Sequence, residues 1–136
     1  NASNITSISF DKTDNLQLMC GFDKNNHKIY GLMEFNLDLL PNSNDIVITN
    51  SYIQIKNKSA SKTKEDIRYN LEFIEIEDLS YEALQNRDRI EFIGYEVSYN
   101  DLQKRKNHKF IFDTFSILAL ENIHNKNNNA KFVIKA

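Results

Sequence analysis

The chain has 136 residues, 40% of them hydrophobic, 11% aromatic and 26% charged, a balance that suits one domain with a packed core. Its formal net charge of -2 supplies no general attraction to phosphate backbones or anionic lipid, which argues against nucleic acid as a partner. No stretch reaches the ~18 apolar residues of a membrane span, so no membrane insertion is expected, and a single cysteine, Cys20, rules out an internal disulfide.

Asn1 and Ala2 read as a tag remnant, and the missing initiator Met suggests that residues 3–136 are one domain taken from a longer protein. Period-2 alternation then dominates the chain. "SISF" near Phe10 and Leu16 to Cys20 are the first predicted strands, with Cys20 as a small apolar core residue. Next, Met33, Phe35, Leu37 and Leu39 share one face while Glu34, Asn36 and Asp38 share the other. Pro41 and the polar run to Asp45 cannot continue a ladder and make the connection. The alternation resumes with Ser51, Ile53 and Ile55 on one face and Tyr52, Gln54 and Lys56 opposite. These are expected to be two strands of a sheet with one buried face.

Ile67, Tyr69, Leu71 and Phe73 alternate with Arg68, Asn70 and Glu72, and Glu72, Glu75, Glu77 and Asp78 read as a wet strand edge. "LSYEALQN" predicts a turn or two of helix capped by Ser80. Strands follow at Arg89–Ser98, Lys109–Asp113 and Lys131–Lys135. Between the last two, a cap at Asp113 or Thr114 opens a short helix whose predicted buried stripe is Phe115, Leu118 and Ala119.

Asn fills about one position in seven while Gly and Pro number 3 and 1, so Asn shapes turns in glycine's place. The fold class expected is all-β: a single antiparallel β-sandwich, jelly-roll-like, with one or two short helical turns plugging its open ends. Its predicted core is Phe10, Leu18, Met33, Phe35, Leu37, Ile53, Ile55, Leu71, Phe73, Phe92, Phe110, Phe112, Phe115, Leu118, Phe132 and Ile134.

Three kinds of site chemistry are legible. Asp11, Asp14 and Asn15 in "DKTDN", with Asp23, Asn25 and Asn26 in "DKNN", offer oxygens at the short spacing that calcium uses, though turns want the same residues. Glycan binding needs exposed aromatic rings beside amides and carboxylates, and Tyr52, Tyr95 and Tyr99 are the candidates in a chain without Trp. "KRKNHK", Lys104 to Lys109, is the one cationic cluster; it reads as a solvated hairpin tip or as a site for an anionic polymer. His27, His108 and His124 fall in three separate predicted loops without metal-ligand spacing, and neither a nucleophile elbow nor a phosphate-binding glycine loop is present.

Three stretches are similar to a known family. "IYGLMEFNLDLLP", "DIVITNSYIQIK" and "KFIFDTFSILALENIHNKNNNAKFVIK" resemble, in order and spacing, the strands and late short helix of the DNRLRE-type domain. That resemblance implies an extracellular β-sandwich module of bacterial and archaeal surface proteins, related to carbohydrate-binding modules. The expected function is therefore non-catalytic: a surface, adhesion or spacer module of a bacterial secreted, cell-surface or phage-tail protein. A carbohydrate-binding module attached to a glycan-active enzyme, stabilised by calcium, is the alternative. The expected setting is extracellular, at the cell surface or on a phage particle, and the partner a surface glycan or another protein domain.

Overall fold

The computed structural model describes residues 4–8, 13–14, 18–41, 45–56, 68–74, 80–86, 94–98, 107–126 and 128–136. In chain order they form β1 (Asn4–Ile8), β2 (Thr13–Asp14), β3 (Gly21–Phe22), β4 (Lys28–Phe35), β5 (Tyr52–Lys56), β6 (Arg68–Phe73), α1 (Tyr81–Asn86), β7 (Gly94–Ser98), β8 (Asn107–Ile111), α2 (Thr114–Asn125) and β9 (Ala130–Lys135). Seven strands make one sheet in the order β2-β1-β4-β9-β6-β7, with β3 also on β4; β5 and β8 make a separate two-stranded ribbon. Every described pairing is antiparallel, so the all-β expectation holds.

Register sets the core. Met33 lies opposite Phe132, which lies opposite Phe73, while Ile134 stands between Gly31 and Leu71. These residues therefore share one face of the large sheet. Against that face pack Ile53, Phe110 and Phe112 from the ribbon and Leu120 and Ile123 from α2. Three rings join the layers: centroids of Phe73 and Phe132 are 4.3 Å apart, Phe73 and Phe112 5.5 Å, and Phe112 and Phe132 5.9 Å. Gly31 permits a close crossing here, because a Cβ would lie 2.7 Å from Leu18 Cδ1 and 2.9 Å from Ile134 Cγ2.

Several expectations are corrected. The strand read at Met33–Leu39 starts earlier and ends at Phe35. The Asn36 amide oxygen accepts the Asp38 N–H at 2.8 Å, turning the chain away from the ladder and leaving Leu39 95% exposed. The two alternating stretches also do not share a sheet: β4 lies in the large one and β5 in the ribbon, with Met33 and Ile53 meeting across the core. The connection 36–51 is far longer than the roughly two to five residues that join hairpin neighbours. Of the strand read at Leu16 to Cys20, Leu18, Met19 and Cys20 are not strand and Leu16 and Gln17 lie outside the described residues; pairing is seen at Gly21, where φ of 120° suits glycine, and Phe22. Phe10, Ile67 and Phe92 lie outside the described residues.

The large sheet is not wet on its second face. Tyr30, Leu32, Ile74 and Val133 are covered there by Leu84 and Tyr81 of α1. β4 consequently buries four consecutive residues, Tyr30 to Met33. Ser80 caps α1 as read, its Oγ accepting the Ala83 N–H at 3.2 Å, but the helix covers a sheet face rather than plugging an end. Glu72, read as a wet edge, is 4% exposed and sits 3.6 Å from Lys135 Nζ.

Helix α2 presents a different stripe from the one read. Ser116, Ala119, Leu120, Ile123 and His124 are buried, a helical i, i+3, i+4, i+7, i+8 series. Phe115 and Leu118, placed in the core by sequence, are 73% and 54% exposed. A stripe centred on the largest side chain starts one position too early, since a bonded serine at 116 takes the inner position. Phe112→Ala should therefore cost about 3–5 kcal/mol and Phe115→Ala less than about 0.5 kcal/mol. Guanidinium melts of the two variants check the contrast, and equal losses would reverse the helix face.

Candidate functional site

The ribbon has two unlike faces. Its register pairs Ile53 with Phe110 and Ile55 with His108 inward, and Tyr52 with Ile111, Gln54 with Lys109 and Lys56 with Asn107 outward. Tyr52 is 49% and Ile111 63% exposed, and Gln54, Lys56, Asn107 and Lys109 are exposed as well. Lys109 Nζ stands 4.8 Å from the Tyr52 ring centroid, a cation held on an aromatic ring. The outer face thus carries two ammonium groups, two amides, a phenol and an aliphatic side chain, with no carboxylate among these six residues. Among the described residues, no carboxylate pairs with Lys56 or Lys109. Exposed Phe115 and Leu118, one helical turn apart on α2, follow β8 directly.

Beneath this face, Tyr95 has a structural part rather than the ligand-binding one read from sequence. Its ring stacks on Phe112 with centroids 6.0 Å apart at 14°, and its hydroxyl accepts the Asp113 N–H at 2.8 Å. Ser116 Oγ lies 2.8 Å from the same hydroxyl and 2.9 Å from Asp113 Oδ1, which also accepts the Ser116 N–H at 2.9 Å. Ser116 Oγ donates to Asp113 Oδ1, which leaves Tyr95 to donate to Ser116 Oγ. This ring of bonds ties β7 to the corner between β8 and α2. Ser116 is 0% exposed, so its hydroxyl is a packing group out of a substrate's reach.

The oxygen-rich turns are separated by the topology. Asp14 lies on β2, paired with β1, whereas Asp23 and Asn25 lie in the turn between β3 and β4. Asp23 Oδ1 accepts the N–H groups of Asn25 at 2.8 Å and His27 at 2.9 Å, and Asn26 turns the chain with φ of 64°. The His27 N–H, foremost among its partners, holds the Asp23 carboxyl below the usual carboxylate range. Asp11, Asn15 and Tyr99 lie outside the described residues. Among the described residues, no three His, Cys, Asp or Glu side chains gather as a metal group would require.

The histidines correct the loop reading in two cases. His108 is on β8 with its ring edge-on to Phe110 at 4.6 Å, and His124 is buried on α2 with Nε2 2.8 Å from the Pro41 carbonyl oxygen. His27 remains in a turn, its Nδ1 3.5 Å from Asp23 Oδ2. Among the described residues, no helix is long and apolar enough to cross a membrane. Comparison with known proteins finds no similar family model, curated protein or solved structure.

Of the residues read as ligand-binding, the structure keeps Tyr52 at the surface and gives it neighbours that sequence reasoning passed over, namely Ile111 directly opposite and Lys109 diagonally across, with Gln54 next on the same face of its own strand. The signal was the alternation of 52, 54 and 56, read without the matching alternation of 107, 109 and 111 on the partner strand.

Tyr95→Phe should cost about 1–2 kcal/mol by orphaning the Asp113 N–H, and Asp113→Ala about 0.5–2 kcal/mol by removing the cap. Combined, the two should lose less than the sum of their separate costs, because they dismantle one network; a double-mutant cycle in urea measures this. Burial pushes the Cys20 thiol up to about 12, so the folded state favours the neutral form. Stability linked to Cys20 is then complete below the ordinary thiol range and declines as pH rises through it toward 12. Iodoacetamide at pH 8 should label Cys20 in urea and leave it nearly unlabelled in the native protein; equal rates would contradict the packing.

Proposed function

We propose that this chain is a non-catalytic module of a bacterial surface, secreted or phage-tail protein, an adhesion or spacer element that meets its partner through the outer face of the β5–β8 ribbon. The observation that carries this reading is the ribbon itself. Its inner side chains are consumed in the core, while Tyr52 and Ile111 stand out in water among donors and cations. An exposed apolar pair rimmed by polar groups is the ordinary signature of a recognition surface.

Support for the absence of catalysis comes from how the polar groups are spent. Asp113 caps a helix, Glu72 pairs with Lys135, His124 meets the Pro41 carbonyl and Asp23 closes a turn. Each group is a structural partner: where a second titratable group stands nearby, as His27 does by Asp23 and Lys135 by Glu72, the pair closes a turn or neutralises a buried charge. The likeness of "IYGLMEFNLDLLP" and "DIVITNSYIQIK" to the DNRLRE-type module favours a surface setting. A second reading, a carbohydrate-binding module of a glycan-active enzyme, draws on Tyr52 sharing one outward face with the Gln54 and Asn107 amides.

Binding of the labelled domain to bacterial envelope fractions tests the proposal. Tyr52→Ala combined with Ile111→Ser should leave the melting temperature near wild type and weaken binding about 10-fold or more. Unchanged binding in that folded variant would remove the ribbon from the function. Hydrolysis of a supplied glycan by the wild type, lost on substituting a carboxylate, would end the non-catalytic reading.

A further inference from the structure

We infer that the ligand of the outer ribbon face is a hydroxyl-bearing polyanion, an acidic polysaccharide or polyol-phosphate chain. This rests on the ribbon being the binding face and names the chemistry it selects. Lys56 and Lys109 occupy diagonal positions on neighbouring strands, with side-chain roots ~7–8 Å apart in such a register. The two ammonium groups give this face a local positive charge, and its other four residues bring no carboxylate to offset them. An anion lying across the ribbon takes a donor from each lysine.

The Tyr52 ring sharpens the choice. A neutral sugar binds tyrosine by stacking on its face, but here the Lys109 ammonium stands over that ring at 4.8 Å. The ring holds the cation at the surface without neutralising it, since a π-face contributes no formal charge. The site therefore presents a fixed positive charge where a plain aromatic platform would present an apolar plane. Gln54 lies opposite Lys109 and Asn107 opposite Lys56, so each cation has an amide beside it able to donate to an anionic oxygen or accept from a hydroxyl. The whole chain carries -2, so this face opposes the net charge and the attraction is local and short-ranged.

The test uses the intact chain with four probes: heparin for sulfate, polygalacturonate for carboxylate, poly(glycerol phosphate) for phosphodiester and dextran as the neutral control. Titration calorimetry at low salt should show binding to at least one anionic probe and none to dextran. Lys56→Ala with Lys109→Ala should weaken that binding at least about 10-fold. Lys24→Ala with Lys126→Ala, two exposed lysines away from the ribbon, should not. Raising salt from about 0.1 M to 1 M, which shortens the Debye length from roughly 10 Å to 3 Å, should abolish it.

No binding to any anionic probe overturns the inference. So does binding that survives the Lys56/Lys109 change and disappears only when Lys104, Arg105 and Lys106 are substituted, because the cations responsible then lie elsewhere. Dextran binding lost in Tyr52→Ala would also overturn it, while leaving the ribbon as the functional face. Loss of the ribbon variants' effect on envelope binding would instead remove the reading beneath it. Equal or tighter binding of single-stranded DNA, lost with the two lysines, would show a bare charge site and reject the hydroxyl-bearing class.

Discussion

The docking of Phe112 against Phe73 and Phe132 is the contact on which the rest depends. A two-stranded ribbon alone is marginal in water, because it has no second layer in which to bury a face. Here Ile53, Phe110 and Phe112 find that layer in the large sheet, and the aromatic pairs add about 0.5–1.5 kcal/mol each beyond the area they bury. Tyr95 reinforces the seam twice over. Its ring stacks on Phe112 and its hydroxyl joins the Asp113–Ser116 cap, so one residue of β7 holds both the end of β8 and the start of α2. The outer face of the ribbon is thereby positioned by packing from beneath.

The large sheet obeys a second constraint, burial on both sides. β9 lies between β4 and β6 and hides Phe132 and Ile134 on one face and Val133 on the other. Covering the second face falls to α1, a helix of six residues, too short to persist by its own hydrogen bonds. It persists through Ser80 at its cap, Leu84 in the cluster and Tyr81 packed edge-on to Tyr30 at 5.5 Å. Burial of that face also withdraws Glu72 from water. A buried carboxylate without a cation nearby would cost several kcal/mol, and Lys135 from the adjacent strand supplies the countercharge.

How far the chain could be read in advance follows from this arrangement. Alternation reports side-chain phase, so the inward set of β5 and the apolar residues of β6 and β9 were legible. Phase says nothing about which strand lies alongside, and β4 and β5, adjacent in sequence, proved to belong to different sheets. Alternation also ran on through Leu37 and Leu39 after the ladder had stopped, because an Asx turn at Asn36 leaves the apolar rhythm of the residues intact. For α2, size misled: Phe115 is larger than Ser116, yet Ser116 has hydroxyl and carboxylate partners that let it go inside. The carboxylate, Asp113, is three residues off, but the hydroxyl of Tyr95 lies 21 residues away and cannot be seen in a local pattern.

The same logic separates the candidate site from the scaffold. Tyr95 looked like a surface tyrosine until its hydroxyl was traced to a backbone N–H and a serine, whereas Tyr52, half-exposed on the outer face, carries a lysine over its ring. Packing fixes Tyr95; it imposes nothing comparable on Tyr52, Ile111, Gln54, Lys56, Asn107 or Lys109. Residues that the fold leaves unconstrained are where a scaffold can carry recognition at little cost to stability. An aromatic and an isoleucine left largely in water there gain little from folding, and among the described residues no carboxylate offsets the two lysines beside them. On the function proposed above, both features turn favourable when a partner brings negative charge together with surface able to cover a ring edge and an aliphatic chain.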